Sequence, residues 1–122
     1  MIVNESGENV YPDELEDTFL NIEGVRNFTV LGIKKDANPL YEDIVIVCQV
    51  DEKTFGDGEL VESIRQKIAK RNGTLPVYKK VSYALLTKDD LPLSNGIKIR
   101  RVVIKREVEA KEGDYIRLDK LK

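Results

Sequence analysis

Lys98 sits in an unusual setting. It follows Asp90-Leu91-Pro92-Leu93-Ser94-Asn95-Gly96-Ile97 and opens the basic run Ile99-Arg100-Arg101. Pro92 fixes its own φ and pushes Leu91 toward extended backbone. Ser94, Asn95 and Gly96 are turn formers. The chain is therefore expected to loop tightly and present Lys98 at the loop's edge. A compact ammonium on a flexible stem acts as a point charge toward a phosphate or a carboxylate. The spacing alone also suits a solvated surface lysine, so other segments have to decide. Near the start, the short apolar pair Ile2-Val3 runs into a loop containing Gly7, and Pro12 then opens an acidic stretch.

Other chemistry is scarce. There is no histidine, which removes the commonest general base and metal ligand. No carboxylate or cysteine spacing matches a zinc or EF-hand site. Cys48 is the only cysteine, in the apolar run Ile44-Val45-Ile46-Val47-Cys48. It reads as a small buried hydrophobe, and the impossibility of an internal disulfide points to a reducing compartment. Asp13, Glu14, Glu16 and Asp17 read as helix-dipole and solvent-facing residues rather than an acid/base pair. The five tyrosines form no base-stacking stripe.

The 122 residues fit one domain, 1–122, with enough chain for a core that needs no staples. Hydrophobic residues at 41% and charged residues at 34% describe a globular chain rather than a disordered one. No apolar run approaches the ~18–20 residues a bilayer span requires, and no signal peptide is visible. The net charge of −2 hides an asymmetry: the first sixty residues are about ten charges negative, and those from Lys98 onward about four positive. A basic tail can mean nucleic acid; here it reads better as an edge that faces phosphates, or as a solvated end.

The elements that must position Lys98 follow from periodicity. Ile2-Val3 predicts a short strand. Pro12 at a first helical position, followed by acids, predicts a helix whose buried face is Leu15, Phe19 and Ile22, ended by Glu23-Gly24. Val25 to Ile33 predicts a strand. A loop from Lys34 to Asp43 leads to Ile44–Val50, a central strand buried on both faces. Asp51 to Gly58 reads as a polar turn. Leu60, Ile64, Ile68 and Ala69 define a second helix, with Asn72-Gly73 as a left-handed cap. Val81 to Leu86 predicts another strand, Lys98 to Arg101 a short paired one, and Val102 to Ala110 a helix. Gly113 to Lys122 is a weakly determined tail. The fold class is α+β: a small mixed or antiparallel sheet of about three to five strands, with two to three helices packed on it.

Four segments, in order, resemble the C-terminal lid domain of the adenylate-forming superfamily, the acyl-CoA synthetases and AMP-binding enzymes. Gly7-Glu8-Asn9-Val10-Tyr11-Pro12-Asp13-Glu14-Leu15-Glu16 resembles the family's G-x-N-x-x-P-x-E-I/L-E segment. Gly24-Val25-Arg26-Asn27-Phe28-Thr29-Val30-Leu31-Gly32 is similar to its P-G-V strand, and Thr74-Leu75-Pro76-Val77-Tyr78-Lys79-Lys80-Val81 to its L-P-x-Y-K segment. Leu91-Pro92 through Lys98-Ile99-Arg100 resembles the segment that carries the catalytic lysine. One departure stands out: Ile97 precedes the lysine where the family usually has glycine, and Gly96 lies one position earlier, which leaves open a loop that turns differently.

The resemblance implies a piece of a longer enzyme, with an N-terminal adenylation domain that binds ATP with Mg and a carboxylic acid. Lys98 would be the catalytic cation of acyl-adenylate formation. After a rotation, the Ser6-Gly7-Glu8 loop would replace it and line the path of coenzyme A. Lys79, Lys80, Arg100 and Arg101 would meet coenzyme A phosphates. The Gly7–Pro12 loop leans toward long-chain fatty-acid or aryl-acid CoA ligases, hence fatty acid metabolism in the cytoplasm, with room for peripheral membrane association of the full-length enzyme. No cofactor bound to this chain alone and no nucleic-acid partner are expected, and the isolated chain is expected to be inactive. The competing expectation is a free-standing α+β binding module for a protein or acidic ligand, with no catalytic role.

Overall fold

The computed structural model describes residues 1–122. A two-stranded ribbon, β1 (Ile2–Val3) with β2 (Asn9–Val10), leads into helix α1 (Pro12–Glu16), continued by one 3-10 turn, Asp17–Phe19. Strands β3 (Asn27–Lys34) and β4 (Glu42–Gln49) form an eight-residue antiparallel ladder, from Asn27 opposite Gln49 to Lys34 opposite Glu42. Helices α2 (Glu52–Phe55) and α3 (Gly58–Asn72) follow, then a 3-10 turn at Val77–Lys79 and strand β5 (Tyr83–Thr87). A second ribbon, β6 (Leu93–Ser94) with β7 (Lys98–Ile99), precedes helix α4 (Arg101–Glu109) and strand β8 (Ile116–Leu118). The main sheet runs β3-β4-β5-β8, with β5 parallel to β4 and the other pairs antiparallel. The class is α+β with a mixed sheet.

Both faces of that sheet are covered. Val30, Ile44, Ile46, Cys48, Ala84 and Leu86 pack against Leu15 and Phe19 of the α1 segment and Ile64 and Ile68 of α3. Leu31, Ile33, Val45, Val47, Tyr83 and Leu85 face the other way, onto Ile104 of α4 and Leu91. Alternate residues of one strand thus serve opposite layers, as the pleat requires. This explains the near-continuous apolar runs of β4 and β5, whose strands are buried throughout their centres.

Several local expectations are corrected. The first helix closes at Glu16 and tightens into a 3-10 turn, although Leu15, Phe19 and Ile22 are all buried as the spacing required. The stretch read as a polar turn after β4 holds α2, whose N-cap Asp51 accepts a bond from Thr54 N–H at 2.7 Å. Gly73 is not left-handed: its φ is −62° and the helix ends on ordinary αR geometry. The tail carries β8, which pairs Ile116 with Leu86 and Leu118 with Ala84, and Leu121 beyond it is buried.

Candidate functional site

Lys98 lies on the exposed outer edge of the β6–β7 hairpin. Asn95 and Gly96 both take positive φ, 54° and 71°, and Ile97 N–H donates to the Ser94 carbonyl at 3.2 Å. Two consecutive positive φ values make the mirror-image turn that suits a twisted ribbon, and Asn-Gly is the pair that adopts it most readily. The register pairs Ser94 with Lys98 and Leu93 with Ile99, so Ile97 is an extra residue between turn and strand. Its side chain is 87% exposed. The turn thus has Asn95 and Gly96 at its centre and closes on Ile97. By strand alternation Ile99 faces the apolar layer, which it packs against, and Lys98 faces outward.

The base of this hairpin is fixed at both ends. At the entry, Gln49 at the end of β4 is buried; its Nε2 donates to Asp90 Oδ1 at 2.8 Å and its Oε1 accepts from Leu91 N–H at 3.2 Å. Leu91 itself is buried. Across the base, Arg100 N–H donates to the Pro92 carbonyl at 2.9 Å. At the exit, the Arg101 guanidinium reaches four acceptors. Nε donates to Thr29 Oγ1 at 3.0 Å and to the Val30 carbonyl at 3.1 Å. Nη2 meets Asp13 Oδ1 at 2.7 Å and Glu16 Oε1 at 2.8 Å. Glu16 is in turn held by the Thr29 hydroxyl and Val30 N–H, each donating at 2.8 Å.

A cleft of about 260 Å³ opens here, lined by Asp13, Glu16, Thr29, Ile97, Lys98, Ile99 and Arg101. The hydrogen bond from Arg101 holds the Asp13 carboxyl below its usual value, and the charges of Arg101 and Lys98 add to the effect. Burial works against charge on Arg101, but its bonds to Glu16 and Asp13 win and raise its pKa above the ordinary arginine value. Two cations and two carboxylates thus share one edge, with Lys98 the exposed one and Arg101 the engaged one.

The Gly7 loop forms a second locus. Asn4, which the sequence reading passed over, organises it. Asn4 Oδ1 accepts from the Ser6 hydroxyl at 2.6 Å and from Glu8 N–H at 3.2 Å, and the Asn4 carbonyl accepts from Gly7 N–H at 3.0 Å. Gly7 has φ +79°, and a side chain there would meet nothing within 4 Å in this chain. The loop is open on that side, so only backbone strain opposes a larger residue. Asn4 Nδ2 donates to the Tyr78 carbonyl at 2.8 Å, which docks the loop on the Val77–Lys79 turn. Lys79 lies 3.8 Å from Glu14, and Lys80 shares a cleft of about 360 Å³ with Asn4, Glu5 and Ser6.

The structure therefore docks the Gly7 loop, through Asn4, on the turn that carries Lys79, with Ser6 and Lys80 in one cleft, and sets Lys98 and Arg101 in another. Helix α1 stands between the two groups, with Asp13 reaching Arg101 and Glu14 reaching Lys79. The sequence reading missed Asn4, Glu16 and Gln49. Asn4 carried a signal, since asparagine before a Ser-Gly turn commonly bonds the backbone two to four residues on. Glu16 ends the first family-like segment but reads from sequence as solvent-facing; it is instead half-buried and held by Thr29, Val30 and Arg101, the last 85 positions away. Gln49 carried no signal, because Asp90 and Leu91 lie 41 and 42 positions away. No group of three or more histidine, cysteine, aspartate or glutamate side chains is arranged to hold a metal ion, and no helix is long and apolar enough to cross a membrane.

No protein-family model matches the chain. Solved structures do. A fatty acyl-CoA synthetase of Mycobacterium tuberculosis is similar over 92% of this chain and 20% of its own, with 25% identity and a TM-score of 0.64. The fold is that of a domain carried by acyl-CoA synthetases and AMP ligases. It is consistent with the C-terminal domain of the adenylate-forming superfamily. The anthranilate CoA ligase AuaEII, in complex with anthranoyl-AMP, matches 90% of this chain and 20% of its own at 16% identity and a TM-score of 0.68. ATP-bound MatB from Rhodopseudomonas palustris matches 88% of this chain and 20% of its own at 21% identity and a TM-score of 0.64. The chain spans about a fifth of the length of each of these proteins.

Proposed function

We propose that residues 1–122 are the mobile C-terminal domain of an ATP-dependent acyl-CoA synthetase, acting with an N-terminal adenylation domain of the same protein. Lys98 is the cation of the first half-reaction. The substrate carboxylate attacks the α-phosphate of ATP, an acyl-adenylate forms and pyrophosphate leaves. The ammonium contacts the carboxylate and the α-phosphate oxygens while negative charge redistributes, which is electrostatic stabilisation and positioning. The domain then rotates, and the Ser6-Gly7-Glu8 loop takes its place beside the adenylate. There the coenzyme A thiol attacks the acyl carbonyl and AMP leaves. Lys79, Lys80 and Arg100 face the coenzyme A phosphates. Arg101 is the member of that set with its guanidinium already taken up, by Asp13 and Glu16. The acid is a fatty acid or a similar hydrophobic carboxylic acid, and its pocket belongs to the partner domain, which also brings ATP and Mg.

The observation that supports this reading is the exposed Lys98, held at the edge of a hairpin whose base is fixed from both sides, on a fold shared with acyl-CoA synthetases. The test separates the half-reactions in the full-length enzyme. Lys98→Ala should slow adenylate formation, read as pyrophosphate release, by ~10²–10³-fold, the usual effect of deleting one preorganised electrostatic contact. Thioester formation from supplied acyl-adenylate should change little. Gly7→Val should do the reverse, since its bulk enters space that is open in this chain alone. Equal loss of both half-reactions in either variant, or loss of adenylation in Arg100→Ala but not in Lys98→Ala, would refute the assignment. A chain that needs no adenylation partner and binds an acidic protein through its basic end would show neither effect.

A further inference from the structure

We infer, resting on the reading of Lys98 as the adenylation cation, that Arg101 is a positioning residue for Lys98. Its guanidinium locks the exit of the β6–β7 hairpin onto α1 and β3. Only Ile99 and Arg100 separate the two residues, and Arg100 N–H closes the hairpin base on Pro92. The first residue of α4 and the hairpin therefore move together. Gln49 fixes the entry; the directional bonds at the exit come from Arg101. The acceptors are themselves immobilised: Thr29 and Val30 belong to the longest ladder of the sheet, and Glu16 is bonded to both.

The role needs a guanidinium rather than a charge. Four acceptors in two directions suit a planar fork of five donors, whereas an ammonium reaches them only as a point. Nor is Arg101 required merely to seat α4. Lys105, one turn on, already ties that helix to the sheet. It donates to the Gly32 carbonyl at 2.7 Å and pairs with Glu42 and Glu109. Ile104 is buried between the two. Arg101 thus adds a constraint at the one end of α4 that leads back to Lys98.

The test uses amide exchange in the 122-residue chain, followed by half-reactions in the full-length enzyme. In Arg101→Lys, the Ile97 and Arg100 amides should exchange about tenfold faster or more, after correction for global stability. Amides at the centre of β4 should not change beyond that correction. Asp13→Asn, at an exposed position, keeps an acceptor oxygen but takes the charge from one of the four contacts, and should give a smaller change of the same pattern. Lys105→Gln should lower protection generally without singling out the hairpin. In the enzyme, Arg101→Lys should reduce kcat for adenylation by about 10–10²-fold, as expected when a positioned group is loosened. KM for ATP should stay within about twofold, and thioester formation should be spared. Wild-type exchange at Ile97 and Arg100 in both Arg101→Lys and Asp13→Asn would overturn the positioning role. Selective loosening of the hairpin with unimpaired adenylation would uphold that role and overturn instead the reading of Lys98.

Discussion

Asn72 is the last residue of α3, fully buried, with all three of its bonds made to backbone. Its Oδ1 accepts from Val81 N–H at 2.7 Å, and its Nδ2 donates to the carbonyls of Val81 and Leu121, each at 3.0 Å. One amide therefore clamps the end of α3 to the segment entering β5 and to the chain leaving β8. Asn72→Ala leaves Val81 N–H and two carbonyls without that partner in a dry environment. An orphaned buried group costs about 1–3 kcal/mol, and the vacated side-chain volume adds roughly 1 kcal/mol. The expected loss is about 2–4 kcal/mol, a large share of the ~5–15 kcal/mol that stabilises an ordinary domain. With an unfolding entropy of about 2.1 cal/mol/K per residue over 122 residues, Tm should fall by roughly 8–16 °C. Guanidinium unfolding should show a lower midpoint at an unchanged m value, with the thermal midpoint followed by circular dichroism. Asn72→Asp keeps the acceptor for Val81 but sets a buried carboxylate against two carbonyls, so it should be at least as damaging. A loss below about 1 kcal/mol in Asn72→Ala would refute the reasoning, because it would mean the Val81 amide finds another partner at little cost.

Two further outcomes follow from buried or paired groups. Burial pushes the Cys48 thiol up to about 12 from its usual 9.0, so it should resist alkylation in the folded chain at pH 8 and react as one equivalent once unfolded. Its contribution to stability is complete below pH 9, where the unfolded thiol is still protonated, and is lost as pH rises from there toward 12. Rapid alkylation without unfolding would contradict the packing of β4. Burial opposes the charge of Glu109, but bonds from Lys105 and Lys34 N–H prevail and hold its carboxyl below the usual 4.5. A depressed carboxylate stabilises the fold above its unfolded pKa and loses that contribution as pH falls through the folded value, so Glu109→Gln should flatten the acid limb of stability below pH 4.5. An unchanged slope in urea titrations across that range would refute the assignment.

The parts of the fold that the sequence reveals are those governed by local spacing. β3, β4, β5, α3 and α4 follow from runs and periodicities of apolar residues, and the Asn95-Gly96 turn from residue types that tolerate positive φ. What the sequence hides depends on distant partners. β8 is three residues with one charged member, Arg117, and has no strand signal of its own; pairing with β5 creates it. α2 is a single turn whose start rests on one side-chain bond from Asp51. The tightening of α1 into a 3-10 turn leaves its buried positions unchanged, so periodicity alone could not expose it. The candidate site divides the same way. Lys98 and Gly7 announce themselves by turn chemistry, whereas the pairing of Arg101 with Glu16 joins residues at opposite ends of the chain. A run of arginines beside a lysine reads as a phosphate-facing patch until the carboxylates that claim one of them are located.

The five residues of α1 bear on how the two loci can work together. The Gly7 loop feeds directly into this helix through β2, its Asp13 holds Arg101 at the exit of the Lys98 hairpin, and its Glu14 lies against Lys79. The helix is pinned below by Leu15 and Phe19 in the main core and by Glu16 on β3. An isolated helix of this length would not persist in water, so its form depends on those attachments. The two loci are therefore linked through α1, by the buried Leu15 and by ion pairs at its surface. In the proposed cycle these ties favour exchange of Lys98 for the Gly7 loop by rotation of the domain as one body. A hinge for that motion belongs outside the packed core, because bending within residues 16–121 would break the Glu16–Arg101 or the Asn72–Leu121 tie.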